Sequence, residues 1–208
     1  ADGYHLWSQR YDREMTDVFA IQDEICQSIV ASLRIKLTEG QPLVKRHTDN
    51  VEAYNLYLKA RYHSLKFTPE SLVKGKEFCE QAIALDPNYA LAWFGLADLY
   101  NILGYFGFMH AREASAHCRK AARKALELDE TLPQAHAMMG VLFAEEYDWK
   151  SAECEFSRAL EIDPVSSEVL YLYAYFYLVP MRRLDEAIAV AQKILERDPL
   201  SPLLQYYL

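Results

Sequence analysis

Four short segments with an acidic turn at their end recur along the chain at similar spacing. They end at Pro87, Glu130, Pro164 and Pro199, so the spacings are 43, 34 and 35 residues. The residues before each of these positions follow a similar pattern: CEQAIALDP, ARKALELDE, FSRALEIDP and AQKILERDP. Self-similarity at a period of roughly 20 to 50 residues is the signature of a repeat architecture. This periodicity restricts the fold more than any other feature of the sequence.

The segments that follow these turns also match one another. They read NYALAWFGLADLY, TLPQAHAMMGVLF and VSSEVLYLYAYFY, and their large apolar residues recur at intervals of three and four. That interval is typical of an α-helix. Small residues coincide at Ala97, Gly140 and Ala174, where we expect two helices to approach closely. The sequence therefore predicts a series of helix pairs.

The pattern resembles the tetratricopeptide repeat (TPR), a helix–turn–helix unit of about 34 residues. The resemblance is clearest between Pro133 and Pro164, where four further residues fall at the positions of the family's signature: Trp149, Ala152, Phe156 and Ala159. It implies an all-α fold, namely a right-handed α-α superhelix (TPR solenoid), with an N-terminal helical segment before it.

The domain boundaries follow from this register. We expect a TPR array over 51–208, with units 51–87, 88–130, 131–164 and 165–199 and the start of a fifth. The first unit is about five residues too long near LKFTPES and the second about nine near LGYFGFMHARE, and we expect such insertions at turns. The final LLQYYL is an apolar face without a further layer. Either the chain continues there, or two copies self-associate through this end.

The first fifty residues have a different texture. An apolar stripe at helical spacing predicts a helix from Thr16 to Leu37, and Gly40 and Pro42 end it. One segment here resembles the one that joins a TolB-N-terminal-like (FlgO-like) domain to TPRs in bacterial signalling proteins. It reads GYHLWSQRYDREMTDVFAIQDEICQSIVASL. The resemblance implies that 1–50 is an arm, helix and linker at the tail of a missing upstream domain. In that family the upstream module is often a nucleotide cyclase or a winged-helix regulator.

Composition and motifs argue against several classes of function. The net charge of −8 is unfavourable for binding nucleic acid, because phosphate contacts need clustered Lys and Arg. The sequence has no Gly-rich phosphate loop, no G-x-S-x-G and no H-E-x-x-H, and no nucleophile–base pair is evident. We therefore expect no catalysis by this chain, no cofactor and no metal.

The sequence also indicates a compartment. The longest apolar run, Val169–Pro180, is too short to span a bilayer, which needs about 20 residues. The four cysteines, Cys26, Cys79, Cys118 and Cys154, have no short spacing and are expected to stay reduced. We expect a cytoplasmic protein that does not contact the membrane.

The run VLYLYAYFYLVP places tyrosines at alternate positions, which by itself favours a strand. The repeat register predicts a helix instead, the first of the fourth unit. Winding then splits the alternation into two pairs. Tyr173 and Tyr177 are predicted to pack against the preceding layers, and Tyr171 and Tyr175 to point to the groove side.

The TPR resemblance implies that a peptide or protein partner lies in a groove lined by the first helix of each unit. Transferring the groove positions one by one gives ten candidates: Asn55, Lys59, Phe94, Asp98, Asn101, Ala137, Val141, Tyr171, Tyr175 and Leu178. The Lys, Asn and Arg set with which chaperone-binding members grip a terminal carboxylate is absent, so an apolar or mildly basic segment suits the groove better. The alternative is that these side chains pack only against one another.

Two functions remain open at this point. The first is a non-catalytic TPR scaffold for protein–protein interaction, within a larger bacterial signalling protein. The second is the C-terminal regulatory or oligomerisation region of a nucleotide cyclase or a winged-helix transcription regulator.

Overall fold

A computed structural model of the chain describes residues 47–197 and the single position Ile25. The helix predicted over Thr16–Leu37, the rest of the first 46 residues and the start of a fifth unit lie outside the described residues. All regular structure between residues 47 and 197 is helical, which confirms the all-α prediction.

The helices follow one another in four pairs. Their bounds are α1 Val51–Ser64, α2 Pro69–Leu85, α3 Ala90–Tyr105, α4 Ala111–Leu128, α5 Pro133–Glu145, α6 Trp149–Ile162, α7 Ser167–Tyr173 with a π-helical continuation Ala174–Leu178, and α8 Leu184–Arg197. In the described part of the chain no helix is long and apolar enough to cross a bilayer.

The recurring acidic turn has a local cause. Asp86, Asp129 and Asp163 each end the second helix of a pair in an extended conformation. Their Oδ1 atoms accept hydrogen bonds from the backbone N–H two residues later, at 3.0, 3.1 and 3.1 Å. Asp favours such turns because its short side chain can bond the backbone next to it. The repeated residue that stops each helix is thus the Asp, and the Pro or Glu after it is secondary.

Helix starts are specified in the same local way. Asn50, Thr68, Asp148 and Ser166 stand before α1, α2, α6 and α7, and their side chains accept a hydrogen bond from the backbone N–H three residues on. These are the residue types that satisfy the unpaired N–H groups of a first turn. The caps explain where these four helices begin; Tyr89, His110 and Leu132, which stand before α3, α4 and α5, make no such hydrogen bond.

One left-handed residue lies in the turn inside each pair. Phe67, Tyr147 and Arg182 have φ of 52°, 62° and 58°, and the longer turn of the second pair has Gly107 at 72°. The left-handed region reverses the chain tightly but is unfavourable for a side chain other than glycine. Three of these four turns therefore hold a non-glycine residue under mild strain.

The extra residues of the first two pairs are mostly in helices, which corrects the expectation that they lie in turns. Helices α2 and α4 have 17 and 18 residues, whereas α6 has 14. The lengthened end of α3 stays packed, because Leu103 is 3% exposed and Gly104 lies against Ala114. Apolar additions of this kind are stabilised by extending a buried helix face.

Phe156 holds the third and fourth pairs together. Its ring is fully buried in α6 and lies so close to Gly140 of α5 that a Cβ there would approach the ring to 2.8 Å. On its other side, the ring centroid lies 5.5 Å from that of Tyr173 and 5.9 Å from that of Tyr177. The small residue at position 140 therefore makes room for the aromatic layer between the pairs.

The tyrosine-rich run is helical, as the repeat register predicts. Its second half is π-helical, with Val179 N–H donating to Ala174 O at 3.0 Å. Tyr171 and Tyr175 stack with their ring centroids 5.9 Å apart, and Tyr173 and Tyr177 stack at 5.6 Å. π-helical turns are often found at functional sites, so this helix directs attention to the surface it lines.

Candidate binding cleft

The first helices of the first, second and fourth pairs meet around one cleft, here called the central cleft. It is narrow, because a water-sized sphere can reach only about 40 Å³ of the roughly 570 Å³ of non-atom space there, which includes open solvent. Polar side chains line its floor and aromatic side chains its walls; they include Arg61, Asp98, Asn101 and Glu168, and Phe67, Tyr105, Phe106, Tyr171 and Phe176. Apolar walls around a few convergent polar groups are typical of a ligand site.

An ion triad occupies the floor of the central cleft. Arg61 Nη2 lies 2.7 Å from Glu168 Oε1, and Arg61 Nη1 lies 3.5 Å from Asp98 Oδ2. The side chains of Arg61, Glu168 and Asp98 are 28%, 21% and 16% exposed, respectively, so water screens them only partly. One guanidinium thus serves two carboxylates on two other helices.

The triad shifts the ionisation of Asp98. Burial raises the pKa of this carboxyl to about 7, and the charge of Glu168 adds to the rise while Arg61 opposes it. The pKa of Arg61 is raised in turn, chiefly by Glu168. Arg61 therefore pairs mainly with Glu168, and the negative charge of Asp98 is the less well balanced of the two.

Aromatic rings from two helices form a wall of the central cleft. Tyr105 of α3 lies edge-on to Tyr175 and Phe176 of α7, with centroid distances of 6.1 and 5.9 Å. The hydroxyl groups of Tyr105 and Tyr175 form a hydrogen bond. Phe106, just after α3, lies 5.8 Å from Phe67 in the turn of the first pair. Rings in these orientations give a stiff apolar surface.

Asn101 connects the floor to the third pair. Its side chain is 8% exposed, and its Nδ2 donates to Glu145 Oε1 at 3.4 Å. Burial raises the pKa of Glu145, with the neighbouring Glu146 as a second cause. Asn101 therefore links the floor of the central cleft to the end of α5.

A second, wider groove runs beside α3, α4 and α5. It shares Asn101 and Tyr105 with the central cleft and has an empty volume of about 1270 Å³. Its Arg119 pairs with Glu146 at 2.7 Å, and Glu146 is half-exposed. Because this groove is more open and its arginine is matched by its own carboxylate, the central cleft is the stronger candidate.

Four of the ten predicted groove residues lie at the central cleft. Asp98, Asn101 and Tyr171 line it, and Tyr175 stacks on Tyr171 beside it. They come from α3 and α7, the two first helices on either side of the third pair.

The other six are elsewhere, and burial corrects the prediction for four of them. Phe94, Ala137, Val141 and Leu178 are at most 1% exposed and belong to the core. Asn55 is half-buried and Lys59 exposed on α1, and the Lys59 ammonium lies 5.8 Å from the centre of the Phe78 ring. Transferring positions from a regular repeat assigned these residues to the groove, but in this structure the four buried ones pack in the core.

Sequence reasoning missed Arg61, Tyr105 and Phe176 as cleft residues. A signal for Arg61 was present, since it lies one helical turn after the buried Tyr57 and so on a largely buried face. An arginine on such a face requires a carboxylate partner. Tyr105 and Phe176 depend on the extended end of α3 and the π-helical winding of α7, which no local pattern predicts.

Stacked helix pairs with a cleft between their first helices define a helical-repeat fold. The tetratricopeptide repeat family matches residues 78–107. The crystal structure of TTC0263, a thermophilic TPR protein in Thermus thermophilus, superposes with a TM-score of 0.59 over 93% of each chain at 21% identity. The fold is therefore that of a TPR solenoid. Proteins of this class bind peptides or other proteins.

Two curated bacterial relatives are larger proteins. Putative adenylate cyclase 3 of Rhizobium meliloti is 31% identical over 141 residues, which cover 64% of this chain and 23% of the relative. Transcriptional regulator HilA of Salmonella typhimurium is 24% identical over 200 residues, which cover 95% of this chain and 35% of the relative. The chain spans well under half the length of either.

Proposed function

We propose that the chain is a non-catalytic TPR scaffold that binds a polypeptide segment of a partner protein in the central cleft. The residues that carry the recognition are Asp98, Asn101, Tyr171 and Tyr175, with Arg61, Glu168 and Tyr105 beside them. The observation that supports this most directly is the ion triad set among aromatic rings on three first helices.

The chemistry of the central cleft supports a polypeptide rather than a small polar metabolite. Rings of Tyr105, Tyr171 and Phe176 offer apolar contact, while Asn101 and the carboxylates offer hydrogen-bond acceptors. Partly buried aromatic and charged groups are the ones that dominate binding energy at protein interfaces. An extended segment with one apolar and one polar anchor would use both.

The wider context is also part of the proposal. We propose that residues 51–208 form the repeat array of a larger bacterial signalling protein and that 1–50 leads into it from an upstream domain. The support is that this chain corresponds to only a part of each relative, 23% of the adenylate cyclase and 35% of HilA.

Selection from a phage-displayed random peptide library on the 208-residue chain tests the binding function. Selected peptides are then measured by calorimetry against the chain and against the variants Tyr175→Ala and Asn101→Ala. We expect each variant to weaken binding about tenfold or more, because each removes a wall or floor group. Tyr147→Ala is the matched control, since Tyr147 is 79% exposed in a turn of the third pair.

Two results would contradict the proposal. One is that no selected peptide binds the chain in solution. The other is that the peptides bind but Tyr175→Ala and Asn101→Ala leave their affinity unchanged. Thermal unfolding of every variant, followed by circular dichroism, separates loss of binding from loss of fold.

A second candidate function is supported by the names of the two relatives. Here the repeats form the C-terminal regulatory or oligomerisation region of a nucleotide cyclase or a transcription regulator, and the segment they bind belongs to the same polypeptide. Light scattering and output activity of the longer protein, with and without the repeat array, distinguish the two. A change of activity or oligomeric state with no added partner favours this second function, and an unchanged output favours the scaffold.

A further inference from the structure

Three oxygen atoms on the floor of the central cleft lack a hydrogen-bond donor. Arg61 engages Oε1 of Glu168 and Oδ2 of Asp98. Within residues 47–197, Oε2 of Glu168 and Oδ1 of Asp98 accept no hydrogen bond, nor does the side-chain oxygen of Asn101, whose Nδ2 is bonded to Glu145. None of the three is a fully buried atom, so each is open to water and can accept from a ligand donor that replaces that water.

The charge of the floor also indicates a ligand that donates hydrogen bonds there. Two carboxylates face one guanidinium, so the fully ionised triad carries one negative charge in excess. The closer contact of Arg61 is with Glu168, which leaves Asp98 the less compensated of the two. A partly buried charge of this kind is stabilised most by an added cation that also donates hydrogen bonds.

The walls restrict which cation fits. Tyr105, Tyr171 and Phe176 surround the floor with flat aromatic surfaces. A guanidinium is planar, stacks on such rings and presents five N–H groups in a fixed fork, whereas an ammonium is a compact and strongly hydrated charge. Three separate acceptors beside aromatic rings match the guanidinium better.

We propose that the central cleft recognises an arginine side chain of its partner polypeptide, with the guanidinium donating to Asp98, Glu168 and Asn101 between the aromatic rings. This inference rests on the proposed function, since it names the anchor residue of the segment bound there. Arg61 and the partner's arginine then share the two carboxylates, which balances the charge of the floor.

The test uses the 208-residue chain labelled with ¹⁵N and three small probes: N-acetyl-arginine N-methylamide, its neutral citrulline analogue and its lysine analogue. Titrations are followed by the backbone amide signals of Asp98, Asn101 and Glu168. We expect the arginine probe to shift these signals with an affinity at least about tenfold higher than that of citrulline, because citrulline lacks the charge. The lysine probe should bind more weakly than the arginine probe.

Variants assign the effect to the floor of the cleft. Asp98→Asn keeps the shape of the side chain and should remove the preference for arginine over citrulline. Glu168→Gln provides an independent second variant on the floor of the cleft. Glu196→Gln removes an exposed carboxylate on α8 and should leave the preference unchanged.

The outcomes separate this inference from the function it rests on. Equal affinity for arginine and citrulline, or an arginine preference that survives both Asp98→Asn and Glu168→Gln, overturns the inference. Lysine binding as tightly as arginine overturns the choice of guanidinium. If the arginine probe fails while library peptides still depend on Tyr175 and Asn101, the inference is overturned and the peptide-binding function stands without it.

Discussion

Arg61 of the first helix lies 2.7 Å from Glu168 of the seventh, so the first and fourth pairs of the solenoid are joined directly. In a stack where each pair normally contacts only its neighbours, this contact spans two intervening pairs. Tyr105 and Tyr175 make a second such contact, between the second and fourth pairs. The helices around the central cleft are therefore held together by contacts between its own side chains.

The ion pair is expected to contribute to stability in spite of its partial exposure. Replacing Arg61 by Met keeps the apolar stem but leaves two carboxylates close together. We expect the free energy of unfolding to fall by about 1 to 3 kcal/mol at pH 8, below the range for fully buried pairs because the side chains are 28% and 21% exposed. Urea unfolding measures the loss.

Arg158→Met is the control for this prediction. Arg158 and Glu161 are 3.5 Å apart, but their side chains are 56% and 68% exposed, so the loss should stay below about 0.5 kcal/mol. A double-mutant cycle of Arg61→Met with Glu168→Gln should show coupling. Strict additivity of the two changes would mean that the contact contributes nothing.

Asp98 should make stability depend on pH. Its pKa is raised to about 7 in the folded chain, mainly by burial, against about 4 in an unfolded chain. Between these two pH values the Asp98 carboxyl is protonated in the folded state but ionised in the unfolded state. The stability that this proton contributes is therefore fully present below about pH 4 and is lost as the pH rises through about 7. Wild-type stability should fall between pH 5 and 8 relative to Asp98→Asn, measured by urea unfolding at each pH. A difference that does not vary with pH would contradict the shift.

His136 should titrate above the usual range for a histidine. Its Nδ1 lies 2.7 Å from Glu155 Oε2 and its Nε2 lies 3.0 Å from the carbonyl oxygen of Glu130. Both partners accept, so both ring nitrogens donate and the charged imidazolium is favoured, which raises the pKa of His136 with the Glu155 hydrogen bond as the main cause. The stability it contributes is present below about pH 6.5 and is lost as the pH rises through the raised value.

NMR titration of the His136 ring protons checks this prediction. Glu155→Gln removes the charge and should lower the pKa of His136. A pKa of His136 at or below about 6.5 in the unmodified chain would show that the two hydrogen bonds are not made in solution.

Gly140→Ala should destabilise the protein, although alanine is normally the better helix former. The new Cβ would lie 2.8 to 3.0 Å from three atoms of the Phe156 ring, which cannot move without disturbing Tyr173 and Tyr177. We expect a loss of about 1 to 3 kcal/mol in thermal or urea unfolding. Phe156→Leu should lower the free energy of unfolding less in the Gly140→Ala variant than in the unmodified chain, because the smaller side chain relieves the contact with the new Cβ. If Gly140→Ala is neutral or stabilising, the close approach of α5 and α6 is not rigid.

The sequence predicts those parts of the fold that depend on interactions between residues close together in the chain. Asp86, Asp129 and Asp163 end helices through bonds to residues two positions away, so the helix pairs can be predicted from the repeat. The cleft depends on contacts between distant pairs. Arg61 meets Glu168 only because of how four pairs of unequal length stack, and no spacing in the sequence encodes that distance.

The predicted groove shows the same limit at the level of single residues. Asp98 and Tyr171 line the cleft, whereas Phe94, four positions before Asp98, is fully buried. Position transfer assumes that each helix presents the face it would present in a regular array. Small rotations of a helix exchange a groove position for a core position, and such rotations are set by packing rather than by local sequence.

The π-helical end of α7 makes the shape of the cleft adjustable by length alone. A turn closed by a hydrogen bond from Val179 to Ala174 holds one residue more than a regular turn. Deleting one residue there would restore the regular winding and rotate the preceding part of α7 by about 100° against Pro180 and α8. Tyr171 and its neighbours would then face a different helix. The winding of one turn, as much as the choice of side chains, therefore sets the shape of the cleft.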